Sequence, residues 1–194
     1  MIKSFDILIV GIGGQGTILA SNILGEACLL EGRHVKGAET HGMAQRGGSV
    51  ETHIRIDGLY GPLIVPGTAD LLLSFDLLEA LRYSHYLKTE GKMIVNRRMV
   101  LPTSVFTQKS PAPTEEEVVS QLARFLPCLI DADKIAADAG SSLAQNVVIL
   151  GAASRYIPLK AESLLEAVKN LVPQKTVASN VKAFEMGREF GRAG

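Results

Sequence analysis

Residues 5–16, FDILIVGIGGQG, contain the stretch that decides the fold of this chain. Residues 5–10 form a short, continuously apolar run, which is typical of a strand that is buried on both faces of a parallel sheet. A glycine-rich turn follows at residues 11–16, and apolar residues then recur at helical spacing until Gly32 supplies a stop. A strand, a glycine-rich turn and a helix in this order form the first half of a β-α-β unit.

Strand and helix patterns alternate along the rest of the chain. We predict further strands at residues 34–39, 49–56, 69–75, 92–96 and 128–131, and helices at 77–87, from 115 onward, at 132–156, at 161–172 and from 177 to the end. Asp76 and Thr114 are the predicted helix N-caps. The pair Asp57-Gly58 predicts a tight turn that returns residues 59–65 as the second strand of a hairpin. The pattern therefore predicts an α/β fold with a mixed sheet, helices on both faces and a helical C-terminal region, in a single domain at residues 1–194.

The composition limits the functions that we expect of the chain. Its 194 residues carry equal numbers of acidic and basic side chains, and a net charge of zero argues against nucleic-acid or membrane binding. Two distant cysteines, Cys28 and Cys128, predict free thiols in a reducing compartment, and they are too few to hold a [4Fe–4S] cluster. No apolar run reaches the roughly 18 residues of a membrane span, and the first residues lead directly into a strand without a signal-peptide pattern. We therefore expect a cytoplasmic protein.

The glycine-rich turn is the first candidate site. It has the G-x-G-x-x-G spacing between a strand and a helix, which is the context that this motif requires. Glycines let the backbone turn with positive φ and let a ligand approach it closely, while the free N–H groups at the helix start favour an anion. The alternative is a tight turn without a ligand. The residues predicted to bind the anion of a cofactor are Gly11, Gly13, Gly14, Gln15 and Gly16.

The segment between the second predicted strand and the next one is the second candidate site. It reads ETHGMAQRGGS at residues 39–49 and is short, polar and rich in glycine. Loops at the carboxyl ends of the strands surround the ligand crevice in doubly wound sheets, so both candidate sites are predicted to share one rim. Arg46 can fork onto a phosphate or carboxylate, and His41 is a candidate catalytic residue, because histidine is the side chain whose ordinary pKa lies near neutral pH and it could assist proton movement. The cofactor-binding residues predicted here are Gln45, Arg46, Gly47, Gly48 and Ser49; the alternative is an exposed, solvated loop.

These motifs resemble those of a known family. The stretch GIGGQGTILASNILGEA at residues 11–27, followed by ETHGMAQRGGSV at 39–50, is similar to the gamma-type module of the pyruvate and related 2-oxoacid:ferredoxin oxidoreductases. Within that family, THGMAQRGGS resembles most the beta subunits of indolepyruvate:ferredoxin oxidoreductases. Weaker similarities continue in the same order through ADLLLSFDLLEALRY, KMIVN, NVVILGA and SNVKAFEMG, so the resemblance spans nearly the whole chain.

The resemblance implies a single gamma-type domain with a three-layer α/β/α, Rossmann-like fold. It also implies a subunit of an enzyme that oxidatively decarboxylates a 2-oxoacid, transfers the acyl group to coenzyme A and passes electrons to ferredoxin. Thiamine diphosphate, Mg²⁺ and the iron–sulfur clusters are then expected in a larger partner subunit. The present chain is expected to hold no cofactor alone but to contact coenzyme A, and to be inactive without its partner.

The sequence itself agrees with the expectation that a larger partner subunit holds the cofactors. The chain has no Gly-Asp-Gly motif of the kind that a thiamine diphosphate–Mg²⁺ site uses, and no evident Ser-His-Asp or Cys-His nucleophile arrangement. Two other interpretations remain open from the residues alone. One is a stand-alone Rossmann-type nucleotide-binding protein, in which Glu39 would hold a ribose. The other is a scaffold whose glycine turn binds nothing.

Overall fold

The computed structural model of the protein describes residues 4–41, 48–101, 105 and 111–193, with the backbone alone at His41 and at 192–193. The strands of this described part form one sheet. They are β1 (Phe5–Ile12), β2 (Val35–His41), β3 (Ser49–Ile56), β4 (Ala69–Ser74), β5 (Leu87–Asn96) and β6 (Cys128–Ile130). Their order is β2-β3-β1-β4-β5-β6; β3 runs antiparallel to β2 and β1, and the pairs β1–β4, β4–β5 and β5–β6 are parallel. The predicted mixed, mostly parallel sheet is confirmed.

Helices cover both faces of this sheet. In the described part they are α1 (Thr17–Leu30), α2 (Leu77–Tyr83), α3 (Glu115–Leu122), α4 (Ala132–Asp138), α5 (Gln145–Ala153), α6 (Ala161–Leu171) and α7 (Val177–Ala193). Alternate residues of β1 point to opposite faces, so Ile7 and Ile9 join a core with α1 and α4–α7. Leu8 and Val10 join a second core with α2 and α3. This arrangement confirms the three-layer α/β/α fold.

The predicted hairpin of residues 49–65 is wrong. The turn at Asp57 does form, with a φ of +53°, but residues 59–65 are not a strand. The physical reason is that β1 and β2 occupy both edges of β3, so no edge remains for a returning strand. Ile64 instead donates its backbone N–H to the ring nitrogen Nδ1 of His53, 3.1 Å away, and leads back across the second face of the sheet.

Two predicted helices are shorter than expected. The helix from Leu77 ends at Tyr83 and is followed by a 3-10 turn, because Leu87 is buried and already pairs with Ala69 as the start of β5. The continuous helix predicted for residues 132–156 is two helices, separated by Gly140 with a φ of +99°. The predicted caps are confirmed: Asp76 accepts from the N–H groups of α2, and Thr114 makes a capping box with Glu117.

Candidate functional site

The glycine turn lies at the end of β1, the strand from which the chain adds strands first on one side and later on the other. From β1 the chain passes through α1 to the strands on one side of β1, and it later continues with β4 on the other side. Ligands of open α/β sheets bind at such a point, outside the carboxyl ends of the strands. The end of β4 lies beside the turn, because Phe75 donates its N–H to the carbonyl of Val10 at 2.9 Å. The turn therefore occupies the expected place for a ligand site.

Two of the glycines are required by packing. At Gly11 a Cβ would lie 2.7 Å from Oε1 of Gln15, the atom that accepts the N–H of Ile12 and closes the turn. At Gly16 the φ is +86°, and a Cβ would lie 2.7 Å from Nδ2 of the buried Asn146. Asn146 donates from that nitrogen to the carbonyl of Gly16 at 3.2 Å, so this buried asparagine has a structural role at the start of α1.

The other glycines form the floor of an open cleft. Gly14 has a φ of +103°, and a Cβ there would meet no atom within 4 Å. The cleft has a volume of about 440 Å³ and is lined by Gly13, Gly14, Gly16, Thr17, Ile18, Leu19, Asn22 and Val50. Gly16 is the N-cap of α1 and, within the described residues, neither a capping side chain nor a first-turn acid offsets the positive helix end. The first N–H groups of α1 are thus left for an anion.

Gln15 adds a second unpaired donor beneath this turn. The residue is 7% exposed and its Oε1 is used by the N–H of Ile12. Its Nε2 is buried and makes no hydrogen bond to any residue that the structure describes. A buried donor without a partner is costly, so we expect an acceptor to lie beside this amide in the functional protein.

Part of the second candidate segment lies directly against the turn. Gly13 donates its N–H to the carbonyl of Gly48 at 2.9 Å, and Ser49 pairs with Ile12 in the β1–β3 ladder. This contact agrees with the expectation that both sites share one rim. Gln45, Arg46 and Gly47 lie outside the described residues, as does the side chain of His41, and their predicted roles stay predictions.

Ser49 anchors this end of the segment on the buried carboxylate of Glu79. Its hydroxyl donates to Oε2 of Glu79 on α2 and lies 3.2 Å from the hydroxyl of Tyr83. Nε of Arg82 lies 3.5 Å from Oε1 of Glu79. Burial raises the pKa of Glu79, and the Ser49 hydrogen bond and the Arg82 charge oppose that rise. Sequence patterns did not single out Glu79, because a glutamate in an amphipathic helix usually faces solvent.

Glu79→Gln is expected to raise stability relative to the natural chain at neutral pH. Because the folded pKa of Glu79 is raised, ionisation costs more in the fold than in the unfolded chain. The contribution of Glu79 to stability is therefore present below its ordinary pKa of about 4.5 and is lost as the pH rises through the folded value. Urea unfolding of the natural chain and the variant, from below pH 4.5 up to neutral pH, measures the difference in their free energies of unfolding. A difference that does not grow with pH contradicts the prediction.

The carboxyl ends of the neighbouring strands carry a second polar network. Asn96 is buried at the end of β5; it donates to Asp133 at 2.9 Å and accepts the N–H of Ala132 at 3.0 Å. Arg98 is paired with Asp133 at 3.0 Å and Arg97 with Glu115 at 2.6 Å. Both arginines form ion pairs at the surface. Asn96 was not among the predicted site residues, and its position as the last residue of a buried strand was the available signal.

Two further features concern metals and membranes. Within residues 4–41, 48–101 and 111–193 no group of three or more histidine, cysteine or acidic side chains comes together to hold a metal ion. The helices described in these ranges are all too short or too polar to cross a membrane.

Burial raises the pKa of the Cys28 thiol to about 11, which keeps it protonated and unreactive.

Comparison with known proteins identifies related sequences. Residues 6–190 match the family described as pyruvate ferredoxin/flavodoxin oxidoreductase. The chain is 41% identical to the indolepyruvate oxidoreductase subunit IorB of Archaeoglobus fulgidus, over 94% of this chain and 92% of that one. It is 38% identical to the IorB subunit of Methanothermobacter thermautotrophicus over 98% of both chains. It is 33% identical to the common gamma subunit of the pyruvate/ketoisovalerate oxidoreductases of Pyrococcus furiosus over 89% of both.

Solved structures share the fold. The gamma subunit of keto/oxoacid ferredoxin oxidoreductase from Geobacter sulfurreducens superposes with a TM-score of 0.73 at 28% identity, over 98% of this chain and 99% of that one. The 2-oxoglutarate:ferredoxin oxidoreductase of Magnetococcus marinus gives a TM-score of 0.75 at 20% identity, and the match spans 100% of this chain but 32% of the longer one. At that identity the second likeness concerns the fold alone.

Proposed function

The chain belongs to the pyruvate ferredoxin/flavodoxin oxidoreductase family, and from this premise we propose that it is the non-cluster small subunit of an indolepyruvate:ferredoxin oxidoreductase. The enzyme would decarboxylate an aryl-pyruvate, release CO₂, join the acyl group to coenzyme A and pass the electrons to ferredoxin. Sequence identity supports this choice of substrate: the relatives named IorB are 38–41% identical to this chain, whereas a gamma subunit of pyruvate/ketoisovalerate oxidoreductases is 33% identical.

The open N-terminus of α1 is the observation that carries the role of this chain. Free N–H groups at a helix start, above glycines that leave room for a ligand, fit a phosphate of coenzyme A. Gly13 and Gly14 would admit the phosphate, the first N–H groups of α1 would bind it, and Arg46 would add a positive charge. When bound, coenzyme A supplies the thiol that accepts the acyl group.

The remaining cofactors belong to the proposed larger partner. Thiamine diphosphate and iron–sulfur clusters carry the difficult chemistry of such oxidoreductases, and the protein supplies binding and orientation. Cys28 and Cys128 do not amount to the four thiolates of a [4Fe–4S] cluster. We therefore propose that this chain completes a coenzyme A site at the contact with a larger subunit and is inactive alone.

The alternative of a stand-alone Rossmann-type nucleotide-binding protein fits less well. In a dinucleotide site the acid that holds the ribose ends the strand adjacent to the glycine turn. Here Glu39 lies on β2, and β3 separates that strand from β1. Two strand spacings place Glu39 about 10 Å to the side of the glycine turn. Its carboxylate also accepts a hydrogen bond from Ser21 at 3.0 Å.

Reconstitution with the larger subunit tests the proposal. We expect indolepyruvate to reduce a redox dye when both chains and coenzyme A are present, and expect either chain alone to be inactive. The turnover should be higher with indolepyruvate than with pyruvate or 2-oxoglutarate at equal concentration. Equal activity without this chain would refute the role as a subunit. Preference for another 2-oxoacid would refute the choice of substrate and keep the family role.

A further inference from the structure

Residues 58–67, here called the apolar strap, display large apolar side chains to solvent. The exposed fractions are 86% for Leu59, 77% for Tyr60, 61% for Leu63 and 63% for Val65. Single exposed apolar residues are normal on a protein surface, but several within one short segment indicate a surface that binds another molecule. The strap replaces the predicted return strand, and its Ile64 packs into the second core with α2 and α3.

Side chains of the strands below the strap hydrogen-bond to its backbone. Nζ of Lys36 donates to the carbonyls of Leu59 and Tyr60 at 3.3 and 2.8 Å, and Arg55 donates to a third strap carbonyl at 2.9 Å. Ile64 points inward, is 3% exposed and is bonded through its N–H to His53. These hydrogen bonds restrain the strap backbone, so binding through its outer face costs less conformational entropy than binding through an unrestrained loop.

A row of side chains on the second face connects the strap with the rim of the candidate site. The ring of His53, under the strap, contacts the ring of Tyr86 edge-on with a centroid distance of 5.8 Å. Tyr86 lies beside Tyr83, whose hydroxyl reaches Ser49 next to the glycine turn. Ser49, His53 and the strap thus lie on the same face of the sheet. Leu59 and Tyr60 lie over the row of Lys36 and Asp6 at the start of β1, about 20 Å along the strand from the glycine turn, so a partner would have to cover this whole face to contact both.

The charge of the surface indicates what kind of partner fits. Lys36 is exposed and its ammonium bonds only to carbonyls; in the described part of the chain no carboxylate pairs with it. A two-fold contact between two straps would bring two such ammonium groups to one interface, which disfavours a second copy of this chain. The surface therefore fits a different protein that has an apolar pocket bordered by a carboxylate.

We propose that the apolar strap docks this chain onto the larger, cofactor-carrying subunit, with Leu59 and Leu63 in an apolar pocket and Lys36 facing a carboxylate of the partner. This inference rests on the proposed function, which supplies the larger subunit. The inference adds the surface of this chain that binds the larger subunit. Apolar side chains at the centre of an interface contribute most when they fill a pocket of the partner.

The test is the affinity of the full chain for the larger subunit, measured by titration. We expect the double variant Leu59→Ser/Leu63→Ser to raise the Kd at least about tenfold. Leu126→Ser is the matched control, because Leu126 is 88% exposed and lies outside the strap; its Kd should equal that of the natural chain. Thermal midpoints of the separate variants should stay within about 2 °C of the natural chain, since exposed side chains are changed.

The possible outcomes separate this inference from the proposed function. If the natural chain and the double variant bind the larger subunit equally, the docking surface is wrong and the proposed function stands. If the natural chain does not bind the larger subunit at all, both are wrong. If the double variant abolishes self-association of the chain without changing its affinity for the larger subunit, the strap binds a second copy and the inference is overturned.

Discussion

Gly187→Ala is expected to lower the free energy of unfolding by about 3 kcal/mol. Gly187 lies on α7 where that helix crosses α5, and a Cβ there would lie 2.1 Å from the carbonyl oxygen of Val148. The reciprocal contact is as close, because a Cβ at Gly151 would lie 2.1 Å from the carbonyl oxygen of Phe184. Both clashes are with backbone atoms of packed helices, so relief requires the helices to separate and opens the core. Urea unfolding of the variant measures the loss.

Gly25→Ala is the matched control for this substitution. Gly25 also lies within a helix, α1, but a Cβ there would meet no atom within 4 Å. Alanine favours a helix over glycine by about 1 kcal/mol, so this variant should be as stable as the natural chain or slightly more so. The explanation by helix crossing fails if the two variants change stability by the same amount, or if Gly187→Ala unfolds like the natural chain.

Ile18→Glu is expected to lower kcat/KM for coenzyme A by about thirtyfold in the assembled oxidoreductase. Ile18 is half-exposed in the first turn of α1 and lines the cleft above Gly13 and Gly14. Two like charges about 8 Å apart repel by about 2 kcal/mol at an effective dielectric constant of about 20. The same carboxylate interacts favourably with the helix dipole, by about 0.3–1 kcal/mol, so the chain itself should not lose stability. Steady-state kinetics measures the expected fall in kcat/KM, and urea unfolding checks that the stability of the chain is not lowered.

Ile18→Gln separates charge from shape in this experiment. Glutamine has the length of glutamate without its charge, so the kcat/KM for coenzyme A should stay near that of the natural chain. The penalty of the glutamate variant should also shrink as the salt concentration rises, because ions screen an exposed charge. Equal kinetics for the two variants would remove the support for an anion at the helix start.

The first β-α unit was predictable because its signals are local. The apolar run of β1, the glycine turn and the periodicity of α1 occur next to one another in the sequence, and the caps at Asp76 and Thr114 are contacts across two or three residues. The pairing of β3 was not predictable in this way. Asp57 does turn the chain, but whether a strand follows depends on which edges of β3 are free, and β1 and β2 occupy both.

The candidate site was likewise predictable from the sequence only in part. The glycine spacing predicted a turn with room for an anion, and the shared rim followed from the topology of α/β sheets. The unpaired Nε2 of Gln15 and the bond from Ser49 to the buried Glu79 depend on burial, which a single sequence does not display. The exposed strap was missed for a related reason: residues 59–65 have the apolar composition of a strand, and composition does not tell which face they present.

The contact between Asn146 and Gly16 has a consequence for how this protein is made. The two residues are 130 positions apart, and Asn146 holds the carbonyl at the start of α1. A ribosome releases the N-terminus first, so the front of the chain emerges long before its anchor does. The glycine turn thus gains this hydrogen bond only after Asn146 has been synthesised. A prematurely terminated product would carry the whole motif in its sequence and still lack this support for it.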